Sequence, residues 1–294
     1  MSVLLSTTAR MPSQLDALRR RLDAPAQAPT PIDGAGMHTL VVAGGKGGVG
    51  TSVIAALLAL AAFERGERVL LVDADDQVGP LATLMGCIAP DVRLDDLLRG
   101  LRPPRDVLAW LDPRFALLPG GVPLARELPA LSGAERRVAF RRLTSVGMAF
   151  DRVIIDAGAR ADGVLASCAA AASALLVVTA PDAVANAAAF AIAKAVSRQH
   201  PQLMLAALAN RTDTDEGGAL LAHLADGCAR FLERDIALLG TTPVDDVLDR
   251  ALRAGIPLVD ASRGSPAALS VANALQSWLS AAREFASAPV RRAS

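Results

Sequence analysis

From residue 38 onward, short apolar runs alternate with longer stretches that have helical periodicity. The runs cover residues 40–43, 69–72, 115–118, 153–155, 175–179, 203–208 and 236–239. They are apolar throughout and do not alternate with polar residues, which is typical of strands covered on both faces. The pattern therefore predicts an α/β fold, a doubly wound and mostly parallel sheet of about seven strands with helices on both faces.

Before this alternation, residues 13–23 place Leu15, Leu18 and Leu22 on one helical face, and the segment over 24–36 is rich in proline and glycine. We predict an amphipathic helix and linker over 1–37, one domain over 38–285 and a tail over 286–294. The chain is 52% hydrophobic, which suits a single large core.

Charge, cysteine content and hydropathy bear on partners and compartment. Thirty basic and thirty acidic residues cancel, so no general field attracts nucleic acid or anionic lipid, and a local basic patch is the alternative. The three cysteines, Cys87, Cys168 and Cys228, lack metal-type spacing and suit a reducing compartment. The sequence has neither a signal-peptide core nor an apolar stretch of about 18 residues. We expect a cytoplasmic protein.

The first apolar run leads into a glycine-rich loop over 44–52, and a helical pattern follows at once. Glycines let main-chain N–H groups turn towards a phosphate, and the helix N-terminus adds partial positive charge. Gly45 and Gly50 fit the pattern G-x-x-x-x-G-K-[ST], but Thr51 stands where lysine is expected. Ser52 keeps the hydroxyl that coordinates Mg²⁺ in such loops. A glycine-rich turn that binds nothing is the alternative.

The order of residues from Lys46 to Ser52 resembles the deviant Walker A loop of the MinD/ParA family, which has the P-loop NTPase fold. This resemblance implies ATP and Mg²⁺ as ligands. It also implies a nucleotide-dependent homodimer in which Lys46 reaches the partner's nucleotide. The nucleotide contacts it implies in the loop are Gly45, Lys46, Gly47, Gly48, Val49, Gly50, Thr51 and Ser52.

Carboxylates follow two of the apolar runs. In Asp73–Asp76 the resemblance assigns a water-orienting role to Asp75 and a supporting role to Asp73, and a helix-capping acidic loop is the alternative. Asp156 fits a Walker B carboxylate, which holds Mg²⁺ through the waters of that ion. The catalytic candidates are therefore Lys46 and Asp75, and the metal candidates are Ser52 and Asp156.

Further elements are similar to the family with departures. Arg160 occupies the place of a γ-phosphate-sensing glycine, where a phosphate contact and a solvated surface arginine are both open. Asn210 and Arg211 resemble the adenine-recognition element, because asparagine offers a donor and an acceptor to a base edge, although Asn210 fits a turn cap equally. Pro243 lies in the segment that borders adenine in the family.

The missing lysine bears on ATP hydrolysis. Two unit charges 4 Å apart interact by about 4 kcal/mol at an effective dielectric near 20. If most of that energy acts in the transition state, its loss slows turnover by roughly a thousandfold. We expect nucleotide binding with weak or absent hydrolysis.

Within the family, segments 73–81, 94–100 and 117–121 are most similar to the flagellar-number regulators, the FlhG or FleN group. Gln14, Leu18 and Arg19 match part of their N-terminal motif. This resemblance implies a partner such as a signal-recognition-type flagellar GTPase (FlhF-like) or a flagellar transcription regulator. A tail without a partner, a non-catalytic scaffold of the same fold and a partition or cellulose-synthesis relative are the alternatives.

Near the C-terminus, apolar residues recur at helical spacing, at Leu269, Ala272, Leu275, Trp278, Leu279 and Ala282. The regulators end in a membrane-targeting helix, so peripheral contact with the inner membrane is one interpretation. The neutral polar face carries no cluster of lysines or arginines, which favours docking against the sheet instead.

Overall fold

The computed structural model describes residues 38–75, 79–87, 93–103, 106–120, 133–159 and 163–287. Within them the sheet has eight strands in the order β3-β4-β2-β5-β1-β6-β7-β8, and only β3 is antiparallel to its neighbour. The strands are β1 (Thr39–Gly44), β2 (Val69–Asp73), β3 (Ala109–Asp112), β4 (Phe115–Leu118), β5 (Arg152–Asp156), β6 (Ala174–Thr179), β7 (Met204–Asn210) and β8 (Ala237–Thr242). The predicted doubly wound fold is confirmed, with one strand more than the sequence indicated.

Helices connect the strands and cover both faces of the sheet. The described helices are α1 (Thr51–Glu64), α2 (Leu81–Leu84), α3 (Leu94–Arg99), α4 (Gly133–Gly147), α5 (Gly163–Ala170), α6 (Ala183–Gln199), α7 (Thr214–Leu232), α8 (Asp246–Arg253), α9 (Leu258–Ala261) and α10 (Pro266–Ser287).

The eighth strand, β3, is an edge strand that the sequence pattern did not reveal. It is only four residues long, it contains the exposed Trp110, and it pairs with β4 through an irregular register. An edge strand lacks a neighbour on one side and need not be apolar throughout, so the criterion of a continuous apolar run missed it.

Successive residues of each central strand enter two separate cores. In β1, Leu40 and Val42 pack on the face that α1 and α10 cover, whereas Val41 and Ala43 pack on the face of α3 to α7. Helix α1 is apolar almost all round and is largely buried, as expected for a helix enclosed by the sheet and a second helix layer. Burial on both faces fixes the position of β1 and of the loop that follows it.

Helix α10 closes the face that holds α1, where it contacts both α1 and β8. Trp278 is fully buried, and the Arg152 guanidinium lies 5.0 Å from its ring centroid. Arg152 also donates to Glu67 at 2.8 Å, so the start of β5 and the residues after α1 are tied together beneath the helix. The predicted docking of this helix against the domain is confirmed.

None of the helices in the described residues is long and apolar enough to cross a membrane. Helix α10 ends at Ser287, two residues beyond the predicted domain boundary at 285. The predicted helix over 13–23 and its linker lie outside the described residues.

We expect Trp278→Ala to destabilise the domain by about 3–5 kcal/mol, because it removes a fully buried indole and leaves a cavity under Arg152. Leu269→Ala on the same helix, where 66% of the side chain is exposed, is the control and should change stability by less than about 0.5 kcal/mol. Urea unfolding followed by circular dichroism measures both variants. Equal stabilities would contradict the docking of α10.

Candidate functional site

The loop between β1 and α1 lies at the carboxyl edge of the sheet, between β5 and β6. Gly48 and Gly50 have φ of +87° and +89°, a region that favours glycine. A Cβ on Gly45 would lie 2.3 Å from the main chain of Ala188 in α6, so the loop packs against that helix without room for a side chain. Backbone geometry therefore favours glycine at position 48, and packing requires it at position 45.

Main-chain donors in this loop remain open to a ligand. The first turn of α1 has no side-chain cap and no acidic residue, and Gly50 occupies its N-cap. Lys46, Gly47 and Gly48 are exposed, and their N–H groups donate to no main-chain carbonyl within the described part of the chain. Uncapped N–H groups at a helix N-terminus bind anions, so the arrangement fits a phosphate.

Thr51 brings no charge to this site. It is buried at the first position of α1, and a Cβ on Gly44 would lie 2.4 Å from the Thr51 hydroxyl. The one cation in the loop is Lys46, which forms a 2.9 Å ion pair with Asp182. The hydrogen bond from Lys46 lowers the pKa of Asp182. Both side chains are about two-fifths exposed, at 43% and 40%, so solvent screens the pair.

The predicted strand-end carboxylates gather beside the loop. Asp73 and Asp156 are paired in register at the ends of β2 and β5. The Gly158 N–H donates to Asp156 at 3.0 Å, while the Gly158 carbonyl accepts from the N–H of Gly44 at 2.9 Å. A Cβ on Gly158 would lie 2.9 Å from the Asp75 carboxyl carbon. Gly158 thus connects the base of the loop with Asp156 and lies close to Asp75.

Burial raises the pKa of two of these carboxyl groups. Burial, followed by repulsion from Asp156, raises the pKa of Asp73 to about 7, although Asp73 accepts main-chain hydrogen bonds from Asp75 and Leu81. Burial also raises the pKa of Asp156 to about 6, and the Ser52 hydroxyl and Gly158 N–H partly offset it. The cluster therefore favours an added positive charge.

The oxygen donors present fit a magnesium ion. Asp156 Oδ2 is buried without a hydrogen-bond partner among the described residues, and Ser52, whose hydroxyl interacts with the same carboxyl, is the second residue of the phosphate-facing helix. In the described ranges no three His, Cys, Asp or Glu side chains converge as a ligand set. Mg²⁺ would therefore take most of its ligands from phosphate and water, which is its usual preference.

The residues assigned to the base side lie at the ends of β7 and β8. The Asn210 side-chain amide donates to the Val49 carbonyl at 2.7 Å, and its oxygen accepts from the Thr242 hydroxyl. Arg211, at φ +61°, forms an ion pair with Asp249 at 2.8 Å. Pro243 is partly buried and follows β8 directly. Asn210 thus contacts the phosphate loop, while Arg211 is turned towards α8.

Two residues of the site were not predicted. Asp182 pairs with Lys46 and also caps α6, accepting from Ala185 N–H at 2.8 Å. Thr242 holds Asn210. The sequence Pro181-Asp182 before an alanine-rich helix is a recognisable N-cap signal, but no sequence feature points to the pairing with Lys46. Asp76 and Arg160 lie outside the described residues.

A central strand, a glycine-rich loop, an uncapped helix and a carboxylate on the adjacent strand together define a P-loop α/β protein. Residues 40–258 match the family described as the CobQ/CobB/MinD/ParA nucleotide binding domain. The chain belongs to this family.

Three relatives illustrate its place there. The antiactivator FleN of Pseudomonas aeruginosa is 31% identical over 255 residues, covering 82% of this chain and 87% of FleN. The flagellum site-determining protein YlxH of Helicobacter pylori is 29% identical over 168 residues, 57% of this chain and 56% of YlxH. A structure of Cyanothece McdA with ATP superposes with a TM-score of 0.68 at 19% identity, covering 84% of this chain and 98% of that chain.

The raised pKa of Asp73 predicts a stability that falls as pH rises. Between its ordinary value of 3.8 and about 7, folded Asp73 keeps a proton that the unfolded chain has lost. The folded state then binds more protons, so the free energy of unfolding decreases with pH, by up to about 1.4 kcal/mol per pH unit for one proton. We expect Asp73→Asn to flatten this slope.

Urea titrations from pH 4 to 8 in magnesium-free buffer measure the slope. The exposed Asp215→Asn variant is the control and should keep the parent slope. A parent slope that Asp73→Asn leaves unchanged would show that Asp73 ionises at its ordinary pH in the folded protein.

Proposed function

We propose that this protein is an ATP-binding regulator of the MinD/ParA type that controls flagellar number or placement, with weak or lost ATP hydrolysis. Similarity to FleN over 82% of the chain and to YlxH over a shorter stretch supports the flagellar assignment. The partial N-terminal motif at Gln14, Leu18 and Arg19 supports a signal-recognition-type flagellar GTPase, FlhF-like, as the partner. A flagellar transcription regulator is the other partner that fits.

The observation that carries this proposal is the open phosphate loop with a neutral residue at position 51. Main-chain N–H groups of the loop and of the α1 N-terminus hold the phosphates, and this binding needs no side-chain charge. Thr51 supplies no positive charge to stabilise the negative charge that develops between the β and γ phosphates during hydrolysis. Binding is therefore retained while acceleration of hydrolysis is weak.

The remaining groups have defined tasks around the phosphates. Asp75, held beside Gly158, orients the attacking water. The Ser52 hydroxyl and Asp156 would hold Mg²⁺, Asp156 through water. When bound, Mg²⁺ neutralises phosphate charge and satisfies the buried carboxylates. Asn210, Arg211 and Pro243 form the end of the site where the base lies.

Lys46 links nucleotide binding to assembly in this proposal. Its ion pair with Asp182 is exposed and therefore contributes little free energy. Lys46 can thus leave Asp182 and contact the phosphates of a nucleotide bound to a second protomer. A nucleotide-dependent homodimer would then be the state that partners recognise. In this proposal, residues 1–37 bind the partner and residues 38–285 bind the nucleotide.

The second candidate is a non-catalytic scaffold of the same fold, which Thr51 favours because the substitution removes a catalytic charge and preserves the loop. A partition, cellulose-synthesis or McdA-like role is a third, weaker candidate. The balanced charge gives no support to a partition role, because it offers no general attraction for DNA.

Thr51→Lys tests the role of position 51. We expect the variant to bind ATP more tightly and to hydrolyse it faster, by up to roughly a thousandfold if the ammonium reaches the transition state. Thr51→Met, an unbranched side chain of similar reach without charge, is the control and should not gain turnover. Calorimetry with ATP and ADP in magnesium, with a phosphate-release assay, gives both quantities. Equal and robust turnover in the parent and Thr51→Lys would contradict the proposal.

Assembly can be tested at the same time through the two lysines of the chain, Lys46 and Lys194. We expect ATP to dimerise the parent, Lys46→Gln to abolish dimerisation, and the exposed control Lys194→Gln to preserve it. Light scattering with and without ATP measures the mass. A parent that binds ATP and stays monomeric would contradict the nucleotide-dependent switch and favour the non-catalytic scaffold.

A further inference from the structure

We propose that Asp245 is a positioning residue for the base end of the nucleotide site, and that it acts by fixing this end to the start of α10. The inference deepens the proposed nucleotide site and rests on its base end at Arg211 and Pro243. Asp245 lies two residues after Pro243 and is the N-cap of α8. It is 8% exposed, so it is almost entirely shielded from solvent.

The Asp245 carboxylate joins the N-termini of two helices. Its Oδ1 accepts the main-chain N–H of Leu248 in α8 at 2.9 Å, and its Oδ2 accepts the Ser265 hydroxyl at 2.6 Å. Oδ2 also accepts the N–H of Ala267 at 3.4 Å, and the Ser265 oxygen accepts the N–H of Ala268 at 3.0 Å. Asp245 and Ser265 thereby cap α8 and α10 together, and both helix N-termini favour a negative charge. Burial alone would raise the pKa of Asp245, but these hydrogen bonds together lower it.

Helix α8 has few other contacts that fix its position. Of its eight residues, all of which the structure describes, only Leu248 is buried. A helix this short is not stable by itself. Its first turn therefore depends on the Asp245 side chain and on the main-chain bond from the Asp249 N–H to the Asp245 carbonyl at 2.9 Å.

Both of the other base-side residues depend on this anchor. Pro243 belongs to the short connection between β8 and α8, so the fixed position of Asp245 limits where Pro243 can lie. Arg211 forms its 2.8 Å ion pair with Asp249, and the turn that Asp245 caps sets the position of Asp249. Asp245 therefore acts on the base end through Pro243 and Arg211, while its own oxygens hold α8 and α10.

Two substitutions separate this role from a general contribution to stability. In Asp245→Asn the remaining oxygen still caps α8, because asparagine is as good an N-cap as aspartate. The new NH₂ group faces the N–H of Ala267, so the link to α10 is lost. Ser265→Ala breaks the same link from the side of α10 and changes no residue of the base end. Asp246→Asn removes an exposed carboxylate from the first turn of α8 and is the matched control.

Calorimetry in magnesium should compare ATP with inorganic tripolyphosphate, which has the phosphates and lacks the base. We expect Asp245→Asn and Ser265→Ala to lower ATP affinity roughly tenfold, which corresponds to about one hydrogen bond, and to keep the parent affinity for tripolyphosphate. Asp246→Asn should bind both ligands as the parent does. A merely structural role would lower both affinities by one common factor or leave both unchanged, and either result would overturn the proposal.

Hydrogen exchange gives a second readout, because the coupling between two sites is reciprocal. In the parent, saturating ATP should slow exchange of the Ala267 and Ala268 amide hydrogens more than saturating tripolyphosphate does. Asp245→Asn should remove that difference. Equal protection of these two amides by both ligands in the parent would overturn the link between the base end and α10.

The outcomes separate this inference from the proposed function. If the parent binds ATP and both variants keep its affinity, the inference alone is wrong. A parent that binds neither ATP nor tripolyphosphate would remove the proposed nucleotide function, and the inference with it. If Asp245→Asn fails to fold, Ser265→Ala, which leaves the connection between β8 and α8 unchanged, carries the test alone.

Discussion

Main-chain N–H groups at the start of α1 are the feature around which this domain is built. Their direction depends on a loop with two glycines at positive φ, Gly48 and Gly50, and a flexible glycine-rich segment keeps one conformation only where neighbouring groups hold it. The Gly158 carbonyl holds the base of the loop, α6 packs against Gly45, and Asn210 holds its end. Each contact comes from a different strand end or helix, so three separate elements fix the loop.

The same edge of the sheet gathers carboxyl groups, and in the described part of the chain no cation offsets the burial of Asp73 and Asp156. Asp73 and Asp156 are fully buried, and burial raises the pKa of both carboxyl groups, with repulsion from Asp156 adding to the rise at Asp73. The only loop cation, Lys46, lies outside this cluster and contacts Asp182 instead. A magnesium nucleotide would supply positive charge to the buried carboxylates and negative charge to the main-chain donors. The two halves of the site are therefore complementary to that ligand in charge.

Much of the fold could be predicted from apolar runs in the sequence, because a strand buried on both faces is apolar along its whole length. All seven predicted runs overlap strands. Helix α10 docks through Leu275, Trp278 and Ala282 of the predicted face, whereas Leu269 is exposed. Motif spacing likewise brought the loop, Asp75 and Asp156 together. It could not give the direction of the Asn210 side chain, which depends on Thr242 from a strand that comes 32 residues later. The Lys46–Asp182 contact joins residues 136 positions apart, and no local pattern encodes such a pairing.

Loss of the P-loop lysine and retention of the loop are physically separable. The loop geometry depends on glycines, on packing against α6 and on hydrogen bonds from neighbouring strands. None of these contacts requires a lysine at position 51. Main-chain donors stabilise bound phosphate in the ground state as well as in the transition state, whereas a catalytic cation must act more strongly in the transition state. Under the proposed function, a chain with Thr51 therefore keeps nucleotide as a ligand that organises its surface while the rate of cleavage falls. For a regulator whose signal is the bound state, slower cleavage lengthens that signal and leaves its structural basis intact.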